Sequence, residues 1–192
     1  MVRGLGKNLK DIKWHRVNPP LQEGDLMLLK DFPFTLPSKF IELLKISDGG
    51  FVDYSFDYFD LYFKEVLEGS IGEIYGIGTK STKMKNRNYD RHEAYHNFNY
   101  KEEEFFTSYH DIIHLYRNPP EFFPENLVAF GENGGGDLMC FDYRSNPYIN
   151  NPPIVYWIMG REIGKDISFL ANNFTKFLAM LKEPEPYLGS EV

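Results

Sequence analysis

The sequence predicts a domain that mixes β-strands with α-helices, and three features near its C-terminal end carry this prediction. Two apolar runs, 127–130 and 138–143, flank a glycine-rich segment at 131–137, which indicates a β-hairpin. A third apolar run, 154–159, is rich in β-branched and aromatic residues and predicts a buried strand. From Ile167 the apolar residues recur at 167, 170, 174, 177, 178 and 181, the spacing of one face of an α-helix.

The glycine-rich segment 131–137 suits a turn better than a phosphate-binding loop. No Lys-Ser or Lys-Thr pair follows the glycines, no helix is predicted to begin there, and Asp137 would repel an anion. We therefore expect several of these residues to adopt positive φ, which glycine tolerates.

The N-terminal part of the chain predicts little regular structure before residue 36. Residues 1–24 are polar and predict an irregular lead-in, with Trp14 and Val17 packed against the body. Residues 25–32 fit either a short helix or a buried strand. Residues 36–50 predict a short helix, because Pro37 suits its first turn and Gly49 or Gly50 could end it in the left-handed conformation. The side chains of this helix that should face the core are Leu36, Phe40, Ile41 and Leu44.

Residues 51–63 alternate aromatic and acidic side chains, which predicts an extended strand with two unlike faces. Tyr54, Phe56 and Tyr58 would share one face, opposite Asp53 and Asp57, with an irregularity after Tyr58. The acidic bias continues beyond the strand, and the candidate partner-binding residues are Asp53, Asp57, Asp60, Glu65 and Glu68. The pattern fits a solvated strand edge that resists aggregation, and it also fits a patch for a basic partner.

The middle of the chain contains a polar segment between two more regular ones. Residues 71–78 predict a strand interrupted by glycines, whereas 79–104 are nearly free of aliphatic residues and predict an inserted loop. Residues 104–117 predict a helix that stops before Pro119-Pro120. The tail from 183 to 192 is expected to fray, which leaves a domain from 25 to 182.

The composition of the chain limits the classes of function that are open to it. The chain has 192 residues and 42% hydrophobic content, enough for one domain with a proper core. Its net charge of −7 argues against nucleic-acid binding and permits a basic protein partner. The single cysteine, Cys140, excludes an internal disulfide framework and predicts a buried thiol. We expect a cytoplasmic protein that does not enter the membrane, because no apolar run approaches the roughly 20 residues of a membrane span and the N-terminus lacks a signal-peptide core.

Two histidine pairs raise the alternative of a zinc-dependent hydrolase. His92, Glu93 and His96 match the pattern H-E-x-x-H, in which two histidines bind Zn²⁺ and the glutamate activates water. His110 and His114 repeat the spacing. The residues around His92 favour a loop over the buried helix that such a site requires, so we expect no metal, no cofactor and no catalytic residue.

Five short motifs, taken in order, resemble the SUKH superfamily, which includes bacterial immunity proteins and fungal cell-wall assembly regulators. The motifs lie at 36–50, 74–77, 127–142, 154–157 and 170–178, and the resemblance spans about 26–182. One departure is Asp48, which stands where the family usually has Asn before Gly-Gly. Structural roles are expected for the motif residues Asp48, Gly49, Gly50, Gly76, Gly131, Gly136, Asp137 and Asp142.

The resemblance implies an α+β fold, a mostly antiparallel twisted sheet of about five to six strands flanked by N-terminal and C-terminal helices. It also implies a non-enzymatic binding protein, whose bacterial relatives neutralise toxin domains, often nucleases, encoded beside them. A regulatory scaffold without a toxin partner is the other function that the resemblance allows.

Overall fold

A computed structural model describes residues 9–77 and 111–183 of the chain. The strands are β1 (Arg16–Val17), β2 (Gly50–Asp60), β3 (Glu65–Ile74), β4 (Leu127–Glu132), β5 (Leu138–Asp142), β6 (Ile154–Trp157) and β7 (Ile167–Ala171). In the same residues, the α-helices are α1 (Ser38–Leu44), α2 (Ile112–Arg117) and α3 (Phe174–Met180), and short 3-10 helices occupy Leu9–Asp11 and Glu23–Leu29.

Within the described residues, the seven strands form one antiparallel sheet in which each strand pairs with the next along the chain. This arrangement confirms the α+β class and the antiparallel sheet, with a slightly higher strand count than expected. One strand, β1, lies in the lead-in that was predicted to be irregular, where Arg16 pairs with Phe51 and Val17 with Gly50. Trp14 packs against the core as expected, but the side chain of Val17 is exposed.

The hairpin and the strand after it are confirmed. β4 and β5 pair with a bulge between Ala129 and Gly131, and β6 pairs with β5. Gly134 and Gly136 adopt positive φ values of 81° and 97°, as expected for glycines in this turn.

The predicted helix from Ile167 is wrong over its first five residues. Residues Ile167–Ala171 form β7, and α3 begins only at Phe174. The side chain of Asn173 accepts a hydrogen bond from the amide of Lys176 and so fixes the start of the helix. Apolar residues at 167 and 170 suit a helical face, but here β7 pairs with β6 and completes the sheet.

The helix predicted at 104–117 begins later than expected. Asp111 has extended backbone dihedrals, and its carboxylate accepts hydrogen bonds from the amides of Ile113 and His114, so α2 starts at Ile112. Residues 104–110 lie outside the described part of the chain. The helix ends at Arg117, before Pro119, as predicted.

Both N-terminal regions for which a helix was considered, 25–32 and 36–50, contain helical structure. Residues Glu23–Leu29 form a 3-10 helix, one of the two alternatives for that region. The helix predicted at 36–50 is α1, which ends at Leu44. Gly49 has a φ of 76° as the chain turns into β2, so this glycine shapes the connection instead of ending the helix. Three of the four predicted core residues are buried, and Ile41 is partly buried.

An aromatic cluster joins α1 and α3 to the sheet. The ring of Phe130 in β4 stacks on that of Phe141 in β5, with centroids 4.4 Å apart. Phe40 of α1 and Phe174 of α3 meet this pair edge to face at 5.2 to 5.9 Å, and Phe177 contacts Phe130 at 5.6 Å. Burial of these rings contributes much of the hydrophobic stabilisation, on the order of 2–3 kcal/mol for each ring.

The sheet is covered unequally. Every residue of β6 is buried, as are all but the last residue of β4 and of β5. In β2, by contrast, buried and accessible residues alternate, so one face of this strand is open to solvent. We call the accessible side of β2 and β3 the outer face.

Candidate protein-binding surface

The outer face carries three of the five acidic residues that the sequence singled out. Asp57 in β2 lies directly opposite Glu68 in β3, and Asp53 lies four residues before Asp57 on the same side of β2. All three side chains are exposed. Like charges that face each other across a sheet destabilise it, so the Asp57–Glu68 pair is an unfavourable arrangement for folding alone.

A lysine from the C-terminal end of the domain partly offsets this charge. Lys182 forms an ion pair with Asp57, and the backbone groups of Lys182 and Ser55 exchange hydrogen bonds of 2.8 and 3.0 Å. In the described part of the chain, Asp53 and Glu68 form no ion pair. Among the described residues, the charges of Asp53 and Glu68 on the outer face are therefore not offset by an ion pair.

Glu65 and Asp60 lie opposite each other in the register, on the side of the hairpin away from the outer face. Glu65 is exposed. Asp60 is fully buried, so its carboxylate cannot be presented to a partner as the sequence suggested. The alternation along the strand could have revealed the burial of Asp60. This residue occupies an even-numbered position, like the buried residues Tyr54, Phe56 and Tyr58, and so lies on the same face of β2.

The carboxylate of Asp60 holds the turn between β2 and β3. Its Oδ1 accepts hydrogen bonds of 2.9 Å from the amides of Tyr62 and Phe63, and its Oδ2 pairs with the guanidinium of Arg161. Burial alone would raise the pKa of Asp60, but the amide of Phe63, the Arg161 guanidinium and the amide of Tyr62 hold the pKa below its ordinary value. Asp60 therefore acts inside the fold as an anion that organises the turn.

The same turn exposes large apolar side chains that the sequence did not single out. We define the hairpin tip as the exposed apolar residues at this end of β2–β3, which are Phe59, Leu61, Tyr62, Phe63 and Val66. Each is 47% to 66% exposed. Large aromatic residues are highly buried on average, and only the positions of the turn and of the strand faces distinguish these exposed rings from buried ones.

The acidic motif residues hydrogen-bond within the fold. The Asp48 carboxylate accepts a 2.8 Å hydrogen bond from the amide of Ile77. The carboxylate of Asp137 accepts hydrogen bonds from the amide of Met159 and the hydroxyl of Tyr156, at 3.0 and 3.1 Å. Asp142 pairs with Arg144; burial would raise its pKa, but this arginine lowers it overall. These are contacts within the fold, and the structural roles of the three aspartates stay a prediction.

Four of the motif glycines are constrained by close backbone approach, namely Gly49, Gly50, Gly76 and Gly131. A Cβ on Gly49 would lie 2.6 Å from the amide nitrogen of Gly76, and one on Gly131 would lie 2.6 Å from the carbonyl oxygen of Glu73. Gly131 lies within β4 instead of at the turn where it was expected, and Gly76 forms a bridge to Asp111. Gly50 and Gly136 both have positive φ.

The residues that suggested metal chemistry fall mostly outside the described ranges. His92, Glu93, His96 and His110 lie in 78–110, whereas His114 is partly buried in α2. Within 9–77 and 111–183, no group of three or more His, Cys, Asp or Glu side chains is arranged to hold a metal ion. The zinc site therefore stays an untested alternative to the expectation of no metal.

Cys140 is buried in β5, as predicted, and burial raises the pKa of its thiol well above the ordinary value. No helix within the described residues is long and apolar enough to cross a membrane.

The fold and its exposed hairpin define an α+β domain that displays a charged and aromatic surface. The model of the SMI1 / KNR4 family (SUKH-1) matches residues 27–180, and the chain belongs to this family. No curated protein and no solved structure matches the chain. The division into a lead-in at 1–24, a single domain at 25–182 and a tail at 183–192 stays a prediction.

Proposed function

We propose that this protein is a non-enzymatic immunity protein, which binds and neutralises a toxin domain encoded beside it. Membership of the SUKH-1 family supports a binding role. The observation that carries the proposal is the outer face, where Asp53, Asp57 and Glu68 are exposed on the same side of two paired strands.

The charge of this surface suits a toxin that acts on nucleic acid. A nuclease presents a basic groove to the phosphates of its substrate, and a negatively charged protein surface can occupy such a groove. The strands β2 and β3 contain no basic residue, and Lys64 lies in the turn between them. Of the basic residues beside these strands, Lys182 is paired with Asp57 and Arg16 lies over the ring of Phe51. Opposite charges on the two proteins would accelerate association and make it sensitive to salt.

Asp60 is not part of this proposal, because its buried carboxylate is engaged by Arg161 and two backbone amides. The proposed contact residues are Asp53, Asp57, Glu65 and Glu68. The three on the outer face give the cleanest test, since a change at Glu65 would also alter the hairpin tip.

The test is co-expression of this protein with the product of the neighbouring gene, scored for growth and for a complex that survives purification. The wild-type protein is expected to restore growth. The outer-face variant, Asp53→Lys/Asp57→Lys/Glu68→Lys, is expected to lose this protection. The matched control, Asp31→Lys/Glu121→Lys/Glu125→Lys, makes the same change in net charge at exposed acidic residues elsewhere and should still protect.

Two results would overturn the proposal. If the wild-type protein neither restores growth nor forms a complex, the immunity role is wrong. If the outer-face variant and the control protect equally well, the toxin does not bind through the outer face.

A further inference from the structure

The hairpin tip continues the outer face directly. Phe59 in β2 lies opposite Val66 in β3, and this apolar pair follows the Asp57–Glu68 pair along the same two strands. Phe59 and Val66 are 51% and 66% exposed. The outer face therefore changes from acidic to apolar toward the turn, so a partner bound to one part would reach the other.

The backbone of the turn is held in place by contacts within the fold. The amides of Tyr62 and Phe63 are fixed by the buried Asp60 carboxylate, and the backbone of Lys64 donates to the carbonyl of Asp60 at 2.8 Å. The guanidinium carbon of Arg161 lies 5.8 and 5.5 Å from the ring centroids of Tyr62 and Phe63. Because the backbone of the turn is already ordered, binding through it loses little further backbone entropy.

The chemistry of the tip resembles that of binding hot spots. Tyrosine is enriched among the residues that dominate binding energy, and such residues sit at the centre of an interface with polar groups around them. Here the centroids of two exposed aromatic rings lie 5.0 Å apart, and Lys64 and then Glu65 follow them in the chain. Tyr62 and Phe63 are the residues that could fill a pocket, whereas Asp57, Glu65 and Glu68 could contact its rim.

We propose that the hairpin tip is the apolar anchor of the partner-binding surface, and that the partner is a protein with an apolar recess bordered by lysine or arginine. This inference rests on the proposed function, since it names the part of the toxin-binding surface that supplies most of the affinity. Charge complementarity selects this occupant, because Glu65 and Glu68 are exposed beside the tip and Asp53 and Asp57 lie further along the outer face. The basic residues near the rings are Lys64 in the turn and Arg161 and Lys165, which pair with Asp60 and Glu162. A second copy of this chain would bring like charges together, and an anionic membrane surface would be repelled.

The experiment measures affinity by titration calorimetry, with a catalytically disabled form of the toxin domain encoded by the neighbouring gene as the probe. The tip variant is Tyr62→Ser/Phe63→Ser, and its matched control is Phe122→Ser/Tyr148→Ser, which removes one phenylalanine and one tyrosine that are 72% and 86% exposed. Val66→Ser is a second tip variant that removes no Arg161 contact and so tests the surface if the double variant is unstable.

We expect the tip variant to bind at least about thirty-fold more weakly, the size of a hot-spot loss. Its salt dependence should be unchanged because it removes no charge. Val66→Ser should weaken binding several-fold, and the control should stay within about twofold of wild type. If the tip variants bind as well as wild type, the proposal that the tip anchors the partner is wrong. The proposed function would still stand in that case if the outer-face variant lost affinity. Absence of wild-type binding would overturn both proposals.

Two further measurements test whether the hairpin tip binds a second copy of this chain or a membrane surface instead. Analytical ultracentrifugation of the wild-type protein and flotation with phosphatidylcholine vesicles should both show no association that depends on the tip. A dimer or vesicle-bound form that the tip variant abolishes would overturn the proposal, because the exposed rings would then serve that contact.

Discussion

The guanidinium of Arg161 pairs with the buried carboxylate of Asp60, 101 positions earlier in the chain. This ion pair ties the connection between β6 and β7 to the turn between β2 and β3. The same guanidinium lies near the rings of Tyr62 and Phe63, so one side chain supports both the buried anion and the exposed aromatics.

The replacement Asp60→Asn should destabilise the protein by about 1–3 kcal/mol. The amide keeps the size of the carboxylate but removes the negative charge that Arg161 and the two backbone amides engage, and lost hydrogen bonds to charged groups have this magnitude. Urea denaturation measures the change. Asp53→Asn, at an exposed position of the same strand, is the control and should change the stability by less than about 0.5 kcal/mol. Equal stabilities of the two variants would contradict the assigned role.

The stabilisation by Asp60 should depend on pH. The pKa of Asp60 is lower in the folded protein than its ordinary value of about 3.9, so the ionised carboxylate stabilises the fold above that pH. As the pH falls below 3.9 through the lowered pKa, the carboxylate takes up a proton and the stabilisation is lost. The difference in unfolding free energy between wild type and Asp60→Asn should therefore be constant above about pH 5 and shrink in acid. A difference that is constant down to pH 2 would be inconsistent with this linkage.

The replacement Gly49→Ala should be among the most damaging small changes in the chain. Its Cβ would lie 2.6 and 2.7 Å from backbone atoms of Gly76 and Ile74, and the φ of 76° disfavours any residue with a side chain. We expect a loss of at least about 2 kcal/mol in thermal or urea unfolding. Gly134 has a positive φ but no atom near the position of an added Cβ, so Gly134→Ala should lower the unfolding free energy by about 1–2 kcal/mol. Gly24 has neither a positive φ nor a close neighbour, so Gly24→Ala should be nearly neutral. If Gly49→Ala does not lose more stability than Gly134→Ala and Gly24→Ala, the close backbone approach at Gly49 is not what forbids a side chain there.

Cys140 should be unreactive toward thiol reagents in the native protein. The side chain is fully buried, and burial raises the pKa of the thiol, which keeps it protonated near neutral pH. Titration with Ellman's reagent should show slow or no modification of the native protein and one thiol per chain in guanidinium chloride. Rapid modification under native conditions would contradict the burial of β5.

The sequence predicted the elements whose periodicity is unambiguous. Alternation in β2 placed Tyr54 and Phe56 inside and Asp57 outside, and the glycine-rich turn located the β4–β5 hairpin. The segment Ile167–Ala171 was assigned wrongly because its apolar spacing fits a helix, and its pairing with β6 is a tertiary contact that local sequence does not encode.

The candidate site was only partly accessible to sequence reasoning. The acidic character of β2–β3 was evident, but the ion pair of the buried Asp60 with Arg161 joins residues far apart in the chain. The exposure of Tyr62 and Phe63 was also missed, because aromatic residues in such a run usually pack in a core. A stricter use of the strand period at position 60 would have separated Asp60 from the exposed acids.

The central claim is that a negatively charged face of β2–β3 binds a basic partner. Its most direct test is the salt dependence of the affinity between the disabled product of the neighbouring gene and each of three proteins: wild type, the outer-face variant and the charge-matched control. We expect the affinity of wild type and control to fall steeply as salt rises from 50 to about 300 mM, because screening weakens charge pairs across the interface. The outer-face variant should bind more weakly at low salt and show a flatter dependence. Equal slopes for all three proteins would contradict the claim.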